Sequence, residues 1–445
     1  MSALAVLLRH RGVAVTGCDR DPDGPGGAAS SEDVRRAGGI VVAGHDPSHV
    51  EGAQAVVVTA AVPPDHAELE RARALGIPVV RRADALAAAI APGQVVAVAG
   101  THGKTTTTAM TTEALAAAGL DPTGIAGGRI ASWSGNTRLG GDAIFVVEAD
   151  EYNKSFLALS AEVAVINNVE ADHLECYGSL QNLEDAFVEF CRPARRVIAG
   201  ADDAGASRVA ARTGRPTWTV GVAAQADVRI ADLAWTPSGT TASVSLPGGR
   251  TVGLRLTLPG LHNVRNAAAA LAVTVEMGGK LEPALDALAA FRGVGRRFEL
   301  VGSVGGVTLV DDYAHHPTEI AATLEGARQA YPGRRLVAVF QPHLFSRTAA
   351  FGPAMGKALA AADVVVVTDV YAAREAPIPG VSGRTVADAA RAEGSDVHWV
   401  PSRADLAAEV AGLARDGDVV VTLGAGDITA AAREIRALVE RRKRA

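Results

Sequence analysis

Short apolar runs alternate with helix-like patterns over the first ninety residues of the chain. Strands are predicted at Val13–Gly17, Ile40–Ala43, Ala55–Thr59 and Pro78–Val80. A helix pattern covers Asp65–Leu75, between the third and fourth of these strands. Strands that alternate with helices predict a parallel, doubly wound sheet. The segment Ala91-Pro92-Gly93 that follows is typical of a linker.

A second unit opens with the buried-strand pattern of Val95–Ala99. Its other predicted elements are the strands Ile144–Val147 and Val163–Asn167 and the helices Thr105–Ala118 and Val264–Glu276. Residues 227–258 differ, because polar and apolar positions alternate there between turns at Pro237-Ser238-Gly239 and Pro247-Gly248-Gly249. That alternation predicts an antiparallel meander within the unit.

From about Phe298 the alternation of strands and helices returns. Strands are predicted at Val307–Val310, Leu336–Phe340, Val364–Thr368, His398–Val400 and Val419–Leu423. This pattern predicts a second doubly wound domain. We therefore expect an α/β protein of three domains: a Rossmann-like domain over 1–93, a central domain with an antiparallel portion over 94–297, and a Rossmann-like domain over 298–445.

Composition narrows the class of protein. The chain has 445 residues, of which 48% are apolar and 21% charged, and its net charge is −6. These values indicate a soluble globular protein and argue against a nucleic-acid binder that depends on phosphate contacts. An apolar run of about 18 residues is absent, so no membrane span is predicted, and Met1–Leu8 lacks the order of a secretory signal. The three cysteines have neither paired nor metal-type spacing, which favours reduced thiols in a cytoplasmic protein.

The strongest local motif is Gly100-Thr101-His102-Gly103-Lys104-Thr105-Thr106, between an apolar strand and a helix. Glycines allow backbone N–H groups to approach phosphate oxygens, and the helix N-terminus adds positive potential. In such a loop the lysine neutralises the terminal phosphates and the following hydroxyl binds Mg²⁺. The usual pattern has another glycine where this chain has Val98, so the motif is a variant. It predicts a central domain of the P-loop ATPase type.

Two further polar clusters follow strands of the same domain. Glu148-Ala149-Asp150-Glu151 comes after one strand, and the segment Asn167–His173 comes after the next. Taken alone, the first is compatible with a solvated acidic turn and the second with a structural histidine. Carboxylates and a neutral imidazole at strand ends also suit a cation. Three such clusters in one domain predict a Mg²⁺–nucleotide site.

Other segments combine polar groups with strand or helix ends. Asn263 and Asn266 lie one turn apart at a helix start, where one caps the helix or both amides read an adenine edge. Either Arg296 or Arg297 is suited to a bidentate phosphate contact. Dense titratable groups mark Asp311–Glu319, which ends a strand and opens a helix.

The glycine loop, the segments Asp311–Glu319 and Val370–Gly380, and Phe340-Gln341-Pro342-His343 together resemble the Mur ligase family. These are ATP-dependent amino-acid ligases of peptidoglycan synthesis, and the resemblance is to the branch that adds L-alanine. It implies that residues 1–93 bind a UDP-sugar, 94–297 bind ATP and 298–445 bind the amino acid. The implied reaction uses ATP to phosphorylate the lactyl carboxylate of UDP-N-acetylmuramate. The amine of L-alanine then attacks the acyl phosphate, and the other products are ADP and phosphate.

The resemblance also implies roles for single residues. Phosphate contacts fall to Gly100, Thr101, His102, Gly103, Lys104, Thr105 and Thr106. Thr105 is the implied ligand of one Mg²⁺ ion, and Glu148 and His173 are the implied ligands of a second. Other implied nucleotide contacts are His262, Asn263, Asn266, Arg297 and Asp311. The residues implied to contact the amino acid and the acyl phosphate are Tyr313, His315, His316, His343 and Arg347. The residues expected to be catalytic are Lys104, Glu148, His173, His316 and Arg347.

Related ligases that add later residues carry a carbamoylated lysine after the His173 position, whereas Leu174–Gly200 contains no lysine, in agreement with the alanine branch. The chain departs from the family pattern at two places. The family usually begins with a strand and a G-x-G-G-x-G-M-S loop, and this chain starts where that loop would end. We expect a start assigned too far downstream rather than a true loss. Leu344 occupies a position where many members have arginine.

Three alternatives accompany this interpretation. A recycling ligase that attaches an intact tripeptide to the same UDP-sugar shares the P-loop and the His-His-Pro segment. A non-catalytic nucleotide-binding regulator is disfavoured by the intact Lys104, Glu148 and His173. A folate polyglutamate ligase would lack the N-terminal unit. The expected partners are UDP-N-acetylmuramate and L-alanine, without nucleic acid or membrane, and the expected assembly is a monomer or homodimer.

Overall fold

The structure is a computed structural model that describes residues 1–24, 27–236, 239–373 and 375–444. The chain divides into two compact units. Unit 1 comprises Met1–Asp232, Ala242–Leu254 and Arg265–Phe291, and unit 2 comprises Leu233–Thr241, Arg255–Val264 and Arg292–Ala445. Among the described residues, no helix has both the length and the apolar character needed to cross a bilayer.

The first part of unit 1 contains two separate pairs of parallel strands. Its strands are β1 (Thr16–Asp19), β2 (Ile40–Ala43), β3 (Val56–Val58) and β4 (Val79–Arg81). Its helices are α1 (Ser2–His10), α2 (Ala28–Arg36), α3 (Ala67–Ala74) and α4 (Arg82–Ile90), with a 3-10 helix at Pro47–Val50. β1 pairs with β2 and β3 pairs with β4. The predicted strands are confirmed within three residues, but they form two separate two-stranded parallel sheets instead of the single sheet predicted.

The first strand begins later than predicted because the preceding residues complete a helix end. Gly12 adopts φ +79°, and the N–H of Val13 donates to the Leu8 carbonyl at 3.0 Å. A left-handed glycine followed by such a bond is a common way to end a helix. Val13 therefore belongs to the end of α1, and pairing starts at Thr16.

The largest sheet has ten strands in the order β14-β13-β12-β11-β10-β9-β5-β8-β6-β7. They are β5 (Gln94–Ala99), β6 (Pro122–Ile130), β7 (Gly135–Arg138), β8 (Gly141–Glu148), β9 (Val163–Ile166), β10 (Arg196–Gly200), β11 (Thr217–Gly221), β12 (Val228–Thr236), β13 (Gly239–Ser245) and β14 (Thr251–Leu256). The strands from β6 through β12 in this order run parallel, and β7 is antiparallel to β6. Val96, Ala97, Val98 and Ala99 of the central strand are each 0% exposed. A strand covered on both faces explains its uninterrupted apolar sequence.

Helices accompany this sheet. They are α5 (Lys104–Ala117), α6 (Leu174–Tyr177), α7 (Leu180–Cys191), α8 (Ala204–Arg212), α9 (Leu261–Glu276) and α10 (Leu281–Ala290), with 3-10 segments at Ala131–Trp133 and Tyr152–Ala158. The predicted helix after the glycine loop is thus confirmed as α5. The helix predicted from Val264 begins three residues earlier, at Leu261.

The alternating segment, predicted as an antiparallel meander, forms β12, β13 and β14 at one edge of the sheet. Thr240, Ala242 and Val244 of β13 are buried, with intermediate residues between them. The five-residue link between β13 and β14 is too short for a parallel crossover, so this pair is antiparallel. The turn at Pro247-Gly248-Gly249 is confirmed, since both glycines have positive φ and Leu246 N–H donates to Arg250 O at 2.7 Å. The other predicted turn includes Pro237 and Ser238, which lie outside the described residues.

Unit 2 contains a six-stranded sheet in the order β15-β16-β20-β17-β18-β19. Its strands are β15 (Glu299–Val304), β16 (Val307–Asp312), β17 (Leu336–Phe340), β18 (Val364–Val367), β19 (Asp396–Trp399) and β20 (Val419–Leu423). Its helices are α11 (Pro317–Ala330), α12 (Phe345–Leu359), α13 (Gly383–Ala392), α14 (Arg403–Leu413) and α15 (Thr429–Arg444). All strands are parallel except β15, which pairs antiparallel with β16.

Two apolar clusters cover the two faces of the unit 2 sheet. Ala338 and Phe340 of β17 belong to one cluster, and Val337 and Val339 of the same strand belong to the other. Successive side chains of a strand point to opposite faces. The predicted doubly wound arrangement, and with it the α/β class, is confirmed.

Candidate active site

Three predicted polar segments meet at one edge of the large sheet. β5 lies between β9 and β8, with Ala99 opposite Ile166 and Val98 opposite Glu148. The three strands are parallel, so their carboxyl ends lie at the same edge, where α/β proteins bind ligands. The glycine loop, the acidic segment and the Asn167–His173 segment follow these ends.

The glycine loop is tightly shaped. Gly100 has φ +129°, and a Cβ on it would lie 3.0 Å from the Asn167 backbone nitrogen. Gly103 has φ +78° and immediately precedes α5, and a Cβ there would lie 2.9 Å from Asn266 Oδ1. Both positions therefore require glycine. The second contact also places Asn266 of α9 beside the loop.

Two asparagines that follow β9 hold the loop from the side. Asn168 Oδ1 accepts the His102 N–H at 2.7 Å, and Asn167 Nδ2 donates to His102 O at 3.2 Å and to Thr107 Oγ1 at 3.0 Å. Thr101 Oγ1 accepts the Glu170 N–H at 2.9 Å. The sequence pattern did not predict a role for these asparagines. Their position directly after a strand, like that of the loop itself, was the available signal.

Lys104 is enclosed within the loop. Its Nζ donates to Gly100 O at 2.8 Å, to Thr101 O at 3.2 Å and to both Glu151 oxygens at 2.9 and 2.8 Å. Burial opposes the charged ammonium, but the carboxylates of Glu151 and Asp150 outweigh it and raise the pKa of Lys104. The lysine is therefore a cation held by an acidic partner, which the sequence did not single out.

Thr105 and Glu148 approach each other. Thr105 Oγ1 donates to Glu148 Oε1 at 3.0 Å, and the N–H of Gly127 donates to the other Glu148 oxygen. Neighbouring ligands of an octahedral Mg²⁺ at about 2.1 Å are about 3.0 Å apart. Hydroxyl and carboxylate oxygens are also the ligand types that Mg²⁺ takes. These two residues therefore fit the ligands of one Mg²⁺ ion.

His173 lies next to the acidic segment. It adopts φ +54° before α6, and its ring packs edge-on against the Tyr152 ring, with 5.1 Å between centroids. Its Nδ1 is 3.4 Å from Glu175 and its Nε2 is 3.8 Å from Asp172. Its role as a Mg²⁺ ligand stays a prediction. The remaining loop residue, Thr106, is buried in the first turn of α5.

The residues predicted to contact adenine, His262, Asn263 and Asn266, lie in the first turns of α9. Asn263 Nδ2 donates to Pro259 O at 2.7 Å, so its amide is engaged with the chain before the helix. The His262 ring packs over Gly260, where a Cβ would lie 2.4 Å from the ring. Asn266, the third predicted residue, lies beside Gly103 of the glycine loop.

In unit 2, Asp311 lies near the end of β16, and its buried carboxylate accepts hydrogen bonds from other segments. Its carboxylate accepts from Thr422 Oγ1 at 2.6 Å and Thr429 Oγ1 at 2.8 Å, and the Arg296 Nε lies 3.7 Å away. The side chain is 3% exposed. A nucleotide contact would require exchange of these partners, so that role also stays a prediction.

Tyr313 is covered by two arginines. The guanidinium carbons of Arg296 and Arg297 lie 4.8 and 5.0 Å from its ring centroid. Arg296 also donates to Gly424 O at 2.7 Å, whereas Arg297 lies 3.6 Å from Glu319. Arg296 is therefore fixed by backbone. Arg297 instead faces the carboxylate of Glu319.

His315 and His343 lie near Arg347, and His316 immediately precedes α11. The rings of His315 and His343 are 6.2 Å apart, and His343 stacks on Tyr371 at 5.7 Å. His315 Nδ1 is 3.3 Å from Glu319, and His316 caps α11 by accepting the Thr318 N–H at 3.4 Å. Burial, reinforced by the Arg347 charge, lowers the pKa of His315 and of His343 to about 4 each. Both imidazoles are thus neutral near pH 7.

The segment Val370–Gly380 contributes Tyr371 to this group, which sequence reasoning did not predict. His343 and Tyr371 form an isolated parallel bridge, and Ser346 donates to Glu375 of the same segment. Arg374, which belongs to the same Val370–Gly380 segment, lies outside the described residues.

Three sequence profiles match successive parts of the chain. They are "Mur ligase family, catalytic domain" over residues 1–93, "Mur ligase middle domain" over 98–274 and "Mur ligase, glutamate ligase domain" over 296–426. This chain belongs to the Mur ligase family. The resemblance found in the sequence, and the α/β architecture expected from it, are confirmed.

Relatives of this Mur ligase match along nearly their whole length. A UDP-N-acetylmuramate–L-alanine ligase of Cutibacterium acnes is 46% identical, over 96% of this chain and 91% of the relative. One of Kineococcus radiotolerans is 45% identical, over 99% and 94%. The crystal structure of UDP-N-acetylmuramate-alanine ligase from Thermotoga maritima, 30% identical, gives a TM-score of 0.82 and covers 100% of this chain and 96% of that one. A murein peptide ligase from Psychrobacter arcticus is 26% identical and gives 0.72, covering 99% and 96%.

Proposed function

We propose that this Mur ligase joins L-alanine to the lactyl carboxylate of UDP-N-acetylmuramate through an acyl phosphate, with conversion of ATP to ADP and phosphate. The observation that carries the proposal is the glycine loop with Lys104 inside it and the Thr105–Glu148 pair at 3.0 Å. Full-length identity of 46% to an alanine-adding ligase supports the choice of substrates. The chain is accordingly an ATP-dependent ligase that forms a carbon–nitrogen bond.

The first chemical difficulty is the approach of two anions, a carboxylate and a triphosphate. Lys104 supplies a fixed positive charge, and the loop N–H groups and the start of α5 add to it. Mg²⁺, when bound, would stabilise charge on the phosphoryl oxygens. We assign Thr105 and Glu148 to hold it, with His173 as a ligand of a second ion. Phosphate oxygens would then replace Glu151 as the partner of Lys104.

The second requirement is a place for the amino acid, which we assign to the group around Arg347. A guanidinium binds a carboxylate with two parallel hydrogen bonds. Its neighbours His315 and His343 are neutral, so they do not repel the protonated amine of an incoming amino acid. Tyr313 and His316 complete the proposed set. Arg297, His262, Asn263 and Asp311 stay proposed nucleotide contacts.

The wider assignment follows the sequence prediction. We assign residues 1–93 to the UDP-sugar, 94–297 to ATP and 298–445 to L-alanine. The proposed assembly is a monomer or homodimer.

The test is phosphate release by the full chain with Mg-ATP, UDP-N-acetylmuramate and L-alanine, each omitted in turn. A parallel reaction replaces L-alanine with the tripeptide L-alanyl-D-glutamyl-diaminopimelate. We expect release that requires all three components with alanine, and mass spectrometry should find the UDP-N-acetylmuramoyl-alanine product.

Two results would contradict the proposal. Release with the tripeptide but not with alanine would make the chain a recycling ligase. ATP binding without release under either condition, by a folded chain, would favour the regulator. Lys104→Met serves as the matched inactive variant, and Lys154→Met, a nearby lysine outside the loop, serves as its control.

A further inference from the structure

Five side chains that the proposed reaction leaves unused gather in the first part of unit 1. They are Cys18, His45, His49, His66 and Glu68. Cys18 lies in β1 near its carboxyl end, His45 follows β2, and Glu68 is in the first turn of α3. The chain separates these residues widely, so their spacing along the sequence gave no sign of a shared site.

Glu68 is the centre of this cluster. Its carboxylate lies 3.1 Å from Cys18 Sγ, 3.0 Å from His49 Nδ1 and 3.7 Å from both His45 Nδ1 and His66 Nδ1. Cys18 Sγ is in turn 3.3 Å from His45 Nδ1. One ligand atom each from Cys18, His45 and Glu68 lies within 4.8 Å of the other two.

These separations match the edges of a tetrahedral metal site. Zinc binds thiolate sulfur at about 2.3 Å and imidazole nitrogen or carboxylate oxygen at about 2.0–2.2 Å, so its tetrahedral ligands lie about 3.3–3.6 Å apart. With Glu68 Oε2 as the oxygen ligand, the observed sulfur–nitrogen, sulfur–oxygen and nitrogen–oxygen distances are 3.3, 3.3 and 3.7 Å. Each is within a few tenths of an ångström of the tetrahedral value. Small movements of these side chains would admit an ion.

The charge balance of Glu68 also favours a cation. Its side chain is 11% exposed, and the ion pairs found for it among the described residues are all with histidines. The form of imidazole that binds a metal is uncharged, so in a metal site the positive charge beside this carboxylate would come from the ion. The N–H of Asp46 donates to it at 3.2 Å, and His49 holds its orientation. Such outer partners are typical of carboxylates that bind metals.

We propose that Cys18, His45 and Glu68 bind one Zn²⁺ ion, with water or a small ligand as the fourth group. Thiolate and imidazole together select zinc over Mg²⁺. Binding releases the Sγ proton that Cys18 now donates to Glu68. Since Cys18 and His45 belong to the β1–β2 pair and Glu68 to the helix that leads into β4, the ion would join the two strand pairs.

The test is titration of the full, chelator-treated chain with Co²⁺, a spectroscopic substitute for Zn²⁺. We expect one ion per chain, visible bands of tetrahedral Co²⁺ and a near-ultraviolet sulfur-to-cobalt charge-transfer band, all removed by added Zn²⁺. Cys18→Ser should abolish the charge-transfer band and weaken Zn²⁺ binding by more than about 100-fold, the upper value for loss of an outer partner. Glu68→Gln should weaken it as well.

Cys176→Ser provides the matched control, because Cys176 is a half-buried cysteine on α6, away from the cluster. It should leave spectrum and affinity unchanged. A wild-type chain without the charge-transfer band would overturn the proposal, and so would a band that persists in Cys18→Ser. Neither readout depends on ligase activity, so this test and that of the proposed function fail independently.

Discussion

The Lys104–Glu151 pair offers a quantitative test of the glycine loop. Both side chains are largely buried, with 14% and 2% exposed, and the shorter contact is 2.8 Å. Replacing Glu151 with glutamine keeps the volume and one acceptor but removes the charge. The ammonium is then left in a poorly hydrated position, and its pKa should fall.

The size of the effect follows from this geometry. Two charges 2.8 Å apart attract by about 6 kcal/mol at an effective dielectric constant of about 20. Removing one partner of a buried pair typically costs about 3–5 kcal/mol. Because Lys104 keeps its bonds to two carbonyls, we expect the low end, about 3 kcal/mol. With roughly 270 residues in unit 1, that corresponds to a fall of about 5 °C in its melting temperature.

The assay is thermal unfolding of wild type and Glu151→Gln, each with and without Mg-ATP. Phosphate oxygens would restore the missing negative charge, so ATP should raise the melting temperature of the variant more than that of wild type. Glu162→Gln is the control, because Glu162 pairs with Arg195 at the surface with 33% of its side chain exposed. If Glu151→Gln unfolds within about 1 °C of wild type, the pair does not hold the loop.

Three further predictions concern single positions. Gly100→Ala should destabilise unit 1 by about 3 kcal/mol, because φ is +129° and the new Cβ meets the Asn167 backbone at 3.0 Å, as urea unfolding will measure. His315→Gln should reduce the loss of stability on acidification from pH 6.5 to 4.5, since the unfolded histidine gains its proton near 6.5 and the folded one at a pKa of about 4. Thr105→Ala should lower kcat by about 100-fold in the phosphate-release assay, while Thr105→Ser keeps most of it.

Each of these has a control and a contrary result. Gly119→Ala, at φ +89° with open space around it, should cost only about 1 kcal/mol, so equal losses would mean that the close contact is unimportant. Parallel pH profiles for wild type and His315→Gln would place the acid sensitivity elsewhere. An active Thr105→Ala enzyme with unchanged Mg²⁺ dependence would remove Thr105 from the metal site.

Much of the fold was predictable because most strands of unit 2 are short apolar runs between turns, whereas the antiparallel strand β15, with the sequence ELVGSV, was not predicted. Leu336–Phe340 and Val419–Leu423 were predicted with the bounds that the structure has. Local patterns did not reveal β6 or β7, since Pro122–Ile130 contains three glycines and few large apolar residues. Nor does a local pattern give strand order: that β5 lies between β9 and β8 depends on packing among distant segments.

The candidate site was also predicted only in part from the sequence. The glycine loop could be read directly, because its spacing is imposed by backbone geometry at Gly100 and Gly103. The roles of Glu151 and Asn168 could not be predicted. A carboxylate or amide that follows a strand can make many different contacts, and the tertiary structure decides which one forms. The cluster around Glu68 was not predicted, because three separate segments of the chain contribute to it.

The asparagines beside the glycine loop affect the entropy cost of binding ATP. Asn167 and Asn168 hold the loop backbone through His102 before any ligand arrives. The ordering entropy of these residues is therefore lost during folding, and less of the interaction with phosphate is offset by ordering on binding. The affinity of the loop is in this sense set by side chains that need never touch the nucleotide.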